Sequence, residues 1–235
     1  MLIRLDKYLA DMGIGTRSNV KSEIKKGKIT VNGAVCKDAN VKIDSDNDEI
    51  CFDGKQIVYE QYEYFMLNKP AGIISAATDN KEKTVVDLIT DKKKKDLFPI
   101  GRLDKDTEGL ILISNDGELS HNLLSPKKHV DKTYYVELDK VLSDENANKV
   151  CQGVFIEKDV KTLLAQIERI SNDKVYLTIH EGKFHQVKKM FHAVGCEVTY
   201  LKRMSMGSLK LDESLKPGEY RALTSDEIKA LKENI

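Results

Sequence analysis

Near the start of the chain, apolar positions recur at helical spacing. Leu5, Leu9 and Met12 share one helical face, and Gly13 stops the run. Thr16 is placed to cap a second helix in which Val20 and Ile24 are four apart, with Gly27 at the left-handed position after its end. The period then changes to two. Ile29–Val31 and Ala34–Cys36 flank Asn32-Gly33, while Ile50–Phe52 and Ile57-Val58 flank Asp53-Gly54. Both dipeptides accept the positive φ that a tight hairpin turn demands. Two short helices feeding a small sheet are predicted here.

From residue 62 the pattern mixes strands and helices. Tyr64–Leu67 and Leu110–Ile113 read as buried strands, and Lys132–Leu138 and Lys174–Ile179 as further strands. Thr84 can cap a short helix through Ile89, and Asn115-Asp116-Gly117 precedes a helix through Leu124. Phe184–Val194 reads as a helix stopped by Gly195, with Phe184, Val187 and Phe191 on one side. Thr224 with Glu227 makes a capping box for a last helix. Strands do not alternate strictly with helices, so the expected class is α+β: a small N-terminal α/β domain, then a domain on a mixed, mainly antiparallel sheet.

Charge sharpens the division. Residues 1–43 carry nine Lys/Arg against four acids, and residues 44–60 carry six acids against Lys55 alone. A basic module followed by an acidic stretch places a boundary near residue 60, giving domains 1–59 and 60–235. Arg17, Lys21, Lys25, Lys26 and Lys28 gather around the second helix. Charge alone leaves two readings, a solvated helix surface or a phosphate-binding face.

Composition removes whole classes. Lys plus Arg and Asp plus Glu are 38 each, so the chain is no polycation, although a balanced total leaves room for local patches. No apolar run exceeds four residues, against the about 20 of a membrane helix. The 235 residues suit two domains, and four scattered cysteines without a C-x-x-C suit a reducing cytoplasm. The third glycine of a dinucleotide loop is missing after Gly13-Ile14-Gly15, there is no phosphate loop, and His180-Glu181 lacks a histidine at 184. A metal site from His180, His185 and His192 is disfavoured.

Two constellations remain. Gly101-Arg102-Leu103-Asp104-Lys105-Asp106-Thr107-Glu108-Gly109 precedes a buried strand, a place where a rigid element can hold a catalytic carboxylate. The plain alternative is a polar turn in which Arg102 pairs with an acid. Glu181–Phe191 contains Lys183, Gln186, Lys188 and Lys189 and reads either as a wet basic helix face or as part of a site. Tyr134 and Tyr135 alternate on a strand, as core packing or as a platform for a base.

These residues together resemble the ribosomal RNA pseudouridine synthases. The Asp104 loop with its following strand and Asn-Asp-Gly turn matches that family's signature. Tyr64–Pro70, Lys132–Leu138 and Glu181–Phe191 match its other motifs in order. The N-terminal module resembles the alpha-L RNA-binding domain, named for the fourth small-subunit ribosomal protein. Ser120-His121, Ser125–His129, His185–Lys188 and Pro217–Arg221 lean toward the small-subunit, RsuA-type enzymes. Lys183 and Lys189 stand where arginine is common, and lysine lacks the bidentate fork.

The resemblance implies isomerisation of uridine to pseudouridine in 16S rRNA, at position 516, without cofactor or metal. Its large-subunit counterpart and a noncatalytic assembly factor are the competing readings. Asp104 is implied as the attacking carboxylate or as the base of a glycal route. Lys188 is the cation that keeps it ionised, and Tyr134 stacks on the base and assists the last proton removal. Arg102, Arg17, Lys21, Lys25, Lys28, Lys183, Gln186 and Lys189 are the expected RNA contacts, with Asp106 and Glu108 left to loop structure. The expected partner is small-subunit rRNA in a partly assembled particle, met by a monomer with no membrane attachment.

Overall fold

The computed structural model describes residues 1–125 and 128–233. Pro126 and Lys127 of the Ser125–His129 motif therefore lie outside the described residues. The chain divides into two compact units, residues 1–63 with 91–96, and residues 64–90 with 97–235.

In the first unit, helices Leu5–Asp11 and Arg17–Lys25 stand where the apolar spacing puts them. The Thr16 side chain accepts from Asn19 N at 3.3 Å, satisfying a helix-start N–H. Ala34–Val35, Ile29–Val31, Ile50–Phe52 and Lys55–Ile57 form a four-stranded antiparallel sheet in that order. Both hairpin turns have positive φ at each central residue: Asn32 and Gly33, then Asp53 and Gly54. Leu5, Tyr8, Leu9, Val20, Ile24, Ile29 and Ile50 make the core. A second pairing, Leu2–Arg4 with Lys42–Asp44, joins residues too far apart for local pattern to reveal. The segment 91–96, grouped with the second domain by a single cut at residue 60, clusters with this unit. The Glu63 carboxylate accepts from the backbone N–H of Lys93 and Lys94, and Lys94 Nζ donates to Asp11 O at 2.9 Å.

The second unit is built on one large sheet. Its order is Gln166–Arg169, Lys174–Ile179, Lys132–Leu138, Val198–Met206, Glu108–Ser114, Tyr64–Lys69 and Tyr220–Ala222. Phe98–Ile100 also pairs with Glu108–Ser114. Among the described strands of this sheet, one junction is parallel, where Lys202 faces Glu108 and Arg203 faces Gly109. Gly109 permits that approach: its φ is +98°, and a Cβ there would lie 2.3 Å from Arg203 O. The fold is thus α+β on a mixed, mostly antiparallel sheet. No helix among the described residues is long and apolar enough to cross a membrane.

Two helix expectations are corrected. The Thr84 segment forms only a 3-10 turn, Val86–Leu88, although Thr84 and Asp87 cap each other as anticipated. The helix expected from Phe184 begins at Gln186, because His185 is left-handed at φ +52°. Phe184 consequently leaves the apolar face it was expected to share with Val187 and Phe191, and is exposed.

Candidate active site

Asp104 lies in the loop joining Phe98–Ile100 to Glu108–Ser114, beside the parallel junction. This loop is fastened from several sides. Ser75 Oγ accepts from Leu103 N at 3.0 Å and donates to Leu103 O at 2.8 Å. Gly72 N donates to Lys105 O at 2.7 Å. The buried Lys69 ammonium donates to Pro70 O, Lys105 O and Thr107 O at 3.1, 3.1 and 2.8 Å. Burial lowers the Lys69 pKa to about 8, against the opposing pull of Asp106, Asp104 and Glu108. A carboxylate held this way needs little ordering when a substrate arrives.

Two nitrogen groups approach Asp104 from the Glu181–Phe191 segment. His185 Nε2 is 3.5 Å from one carboxylate oxygen and Lys188 Nζ is 3.9 Å from the other. Lys188 bonds more closely to Asp106, at 2.6 Å from both oxygens, and holds that carboxyl below its usual range. Asp106 therefore tethers Lys188 beside Asp104. Glu108 accepts from Tyr200 Oη at 2.7 Å. The left-handed turn at His185 aims its imidazole at Asp104, and Phe184 stacks on that ring at 3.8 Å.

Around Asp104 opens a cleft of about 400 Å³, lined by Arg102, Lys132, Tyr134, Lys183, His185 and Arg203 among others. Tyr134 is 7% exposed, belongs to the core and also lines the cleft. Lys183 is paired with Glu181, and burial lowers its pKa. Gln186 is turned inward, accepting from Lys183 N and donating to Glu181, both at 2.9 Å. Glu181 also accepts from Leu163 N at 2.9 Å, so Gln186 acts on the shape of this turn. Lys189 pairs with Glu157 at 2.7 Å and lies 5.0 Å from the centre of the Phe184 ring.

In the first unit, Arg17, Lys21 and Lys25 form an exposed stripe four residues apart. Lys21 is 3.7 Å from Asp6, and among the described residues Arg17 and Lys25 have no ion-pair partner. Lys28 is set apart from them by ion pairs with Glu23 at 2.7 Å and Asp53 at 3.5 Å.

Sequence reasoning missed His185, Lys69, Ser75 and Arg203. The contacts of His185, Lys69 and Ser75 depend on a left-handed turn and on loop crossings with no local signature. Lys132 did carry a signal, because it stands two residues before Tyr134 on an alternating strand and so shares its face.

An exposed basic stripe in one unit and a carboxylate cleft in the other agree with the relationships of the chain. Residues 63–193 match the family described as RNA pseudouridylate synthase, and residues 3–50 match the S4 domain. The chain belongs to the RNA pseudouridylate synthase family and is an isomerase acting on RNA. It is 49% identical over 236 residues to an uncharacterised RNA pseudouridine synthase, YtzG, of Bacillus subtilis (strain 168), covering 98% of this chain and 99% of that one. It is 42% identical to the ribosomal small subunit pseudouridine synthase A of Vibrio vulnificus (strain CMCP6), covering 96% and 98%. A crystal structure of a pseudouridylate synthase superposes with TM-score 0.69 at 38% identity, covering 97% of this chain and 99% of that one.

Proposed function

We propose that this enzyme isomerises a uridine of small-subunit rRNA, the uridine at position 516 of 16S rRNA, acting as a monomer on a partly assembled particle in the cytoplasm. The small-subunit target is supported by the names of the relatives aligned over nearly the whole chain. The observation that carries the chemistry is the Asp104 carboxylate, anchored by its loop, 25% exposed at a cleft and approached by the Lys188 ammonium and the His185 imidazole.

In this reading the target uridine leaves its stack, at a cost of a few kcal/mol, and enters the cleft. Tyr134 stacks on the uracil, and Arg102 holds the opened RNA. Asp104 either attacks C1′ as the N1–C1′ bond breaks or removes a ribose proton to form a glycal. Both routes require it ionised, and Lys188, held by Asp106, lies 3.9 Å from it. The uracil turns and C5 bonds to C1′, as the Asp104–C1′ bond breaks on the first route or as Asp104 returns its proton to C2′ on the second; the C5 proton then departs with help from Tyr134, and N1 gains a proton. Atoms and charge balance without a cofactor or water. Residues 1–59 contribute phosphate contacts through Arg17, Lys21 and Lys25, which set position without reading sequence.

The test is tritium release from small-subunit rRNA labelled at uracil C5 and assembled into partial particles. Wild type is expected to release tritium, and Asp104→Asn to release it at least about 10³-fold more slowly with its circular dichroism unchanged. Release from large-subunit rRNA alone would overturn the target. Full release by the Asp104 variant would overturn the site.

A further inference from the structure

The Lys132–Leu138 strand alternates strictly, with Lys132, Tyr134, Val136 and Leu138 buried and the residues between them less so. A lysine heading a core-facing row breaks the pattern that the other three positions obey. Directly across from Tyr134 in the neighbouring antiparallel strand stands Arg203, 2% exposed. Facing residues of paired strands project to the same side. Two buried cations thus share the face that carries Tyr134, and both line the Asp104 cleft.

Neither has a carboxylate partner among the described residues. Lys132 Nζ donates to Val130 O at 3.0 Å, and Arg203 Nε donates to Leu110 O at 2.7 Å. Arg203 Nη2 is buried with no hydrogen-bond partner. Burial, and then the charge of Arg203, lower the Lys132 pKa to about 8, which leaves the ammonium charged at neutral pH. Asp131 pulls the other way, but it is exposed and bonded to His180 Nδ1 at 2.6 Å. Burying a charge without a counter-ion is costly, and two adjacent like charges compound the cost. A bound anion would offset that cost. At Gly101, a side chain would enter the space beside Arg203, its Cβ lying 3.9 Å from Nη1, so a glycine there keeps that approach open.

A uracil carbonyl could satisfy one donor but brings no charge. Each nucleotide of RNA brings a phosphodiester, whose two non-bridging oxygens can accept from both cations while its single negative charge offsets part of theirs. We propose that Lys132 and Arg203 form a phosphate subsite within the Asp104 cleft, gripping a phosphodiester that flanks the flipped uridine. This deepens the functional reading above and rests on Asp104 marking the place of isomerisation. The subsite positions the nucleotide by its backbone while Tyr134 engages the base.

The experiment uses full-length protein and rRNA particles carrying one neutral methylphosphonate linkage, placed 5′ of the target uridine, 3′ of it, or several nucleotides away. Wild type is expected to lose about 10- to 100-fold in kcat/KM when one of the two flanking linkages is neutralised, and little with the distant one. Lys132→Met is expected to lose a similar factor on unmodified RNA and almost nothing further on the neutralised linkage. Equal wild-type rates on all three RNAs would overturn the subsite, as would losses from mutation and neutralisation that simply multiply. Should Lys132→Met or Arg203→Met fail to fold, the wild-type comparison alone still decides. Retained activity in Asp104→Asn would instead remove the active-site reading, a failure separate from that of the subsite.

Discussion

The two units of this protein present positive charge in opposite ways. On the helix Arg17–Lys25, Arg17, Lys21 and Lys25 stand in solvent on an element whose other face is packed by Val20 and Ile24. In the cleft, Lys132 and Arg203 are buried on a sheet face, and Lys188 is held by Asp106. Exposed cations are screened by salt and act additively on a polyanion. Buried or tethered ones act at a fixed point and are strongly coupled to their neighbours. A recognition surface tolerates loose side chains, whereas a reaction centre does not. The cleft accordingly draws on more of the fold: three loop anchors, a parallel strand junction and a left-handed turn.

The comparison breaks most visibly at Gly109. Gly109→Ala would press a Cβ against the Arg203 backbone at a φ that alanine resists. A loss of about 3 kcal/mol is expected, read as a shift in urea midpoint with an unchanged slope. An unaltered midpoint would mean that the junction tolerates separation. Next in size is Lys188→Met, for which kcat should fall about 10- to 100-fold while KM for rRNA moves little, since the tether serves the carboxylate and not the docking of RNA. An effect on KM alone would return Lys188 to the class of the exposed stripe.

Asp116 sharpens the contrast on the side of stability. Burial raises its pKa, but hydrogen bonds from Leu119 N and Tyr64 Oη, with Lys232 at 3.4 Å, outweigh that and hold it below its ordinary value. A depressed carboxylate stabilises the fold above its unfolded pKa, and that contribution is lost as pH falls through the lower folded value. Asp116→Ala should cost about 1–2 kcal/mol at pH 7 and progressively less on acidification below about pH 4. A difference from wild type that stays constant down to pH 2 would contradict this assignment. The smallest effects belong to the stripe. Each of Arg17→Ala, Lys21→Ala and Lys25→Ala should weaken RNA binding a few-fold and reduce the salt slope by about 0.7–0.9, without moving kcat. A kcat change would show that these residues do more than dock.

Much of this architecture could be read before any coordinates. Thr16 and Gly27 delimit the second helix, Asn32-Gly33 and Asp53-Gly54 turn the hairpins, and Asp116 caps the helix Gly117–Leu124. Each is decided within a few residues, by a cap that satisfies an N–H or a glycine that accepts positive φ. The Asp104 loop and the Tyr134 strand are local patterns too, but pattern alone left a polar turn and core packing as equal readings, and only the family resemblance singled out the two residues. The helix expected from Phe184 starts later because His185 is left-handed, a backbone conformation that apolar spacing does not reveal.

The sequence by itself determined the elements, their caps and turns, the basic stripe and the carboxylate, since each rests on forces acting over one or two turns of chain. Only the folded sheet sets Arg203 against Gly109, lets Lys69 and Ser75 anchor the Asp104 loop, and buries Lys132 and Arg203 together with no carboxylate ion pair among the described residues. These pairings join residues some 30 to 100 positions apart. Their energies depend on burial and distance, and both come into being only when the sheet closes.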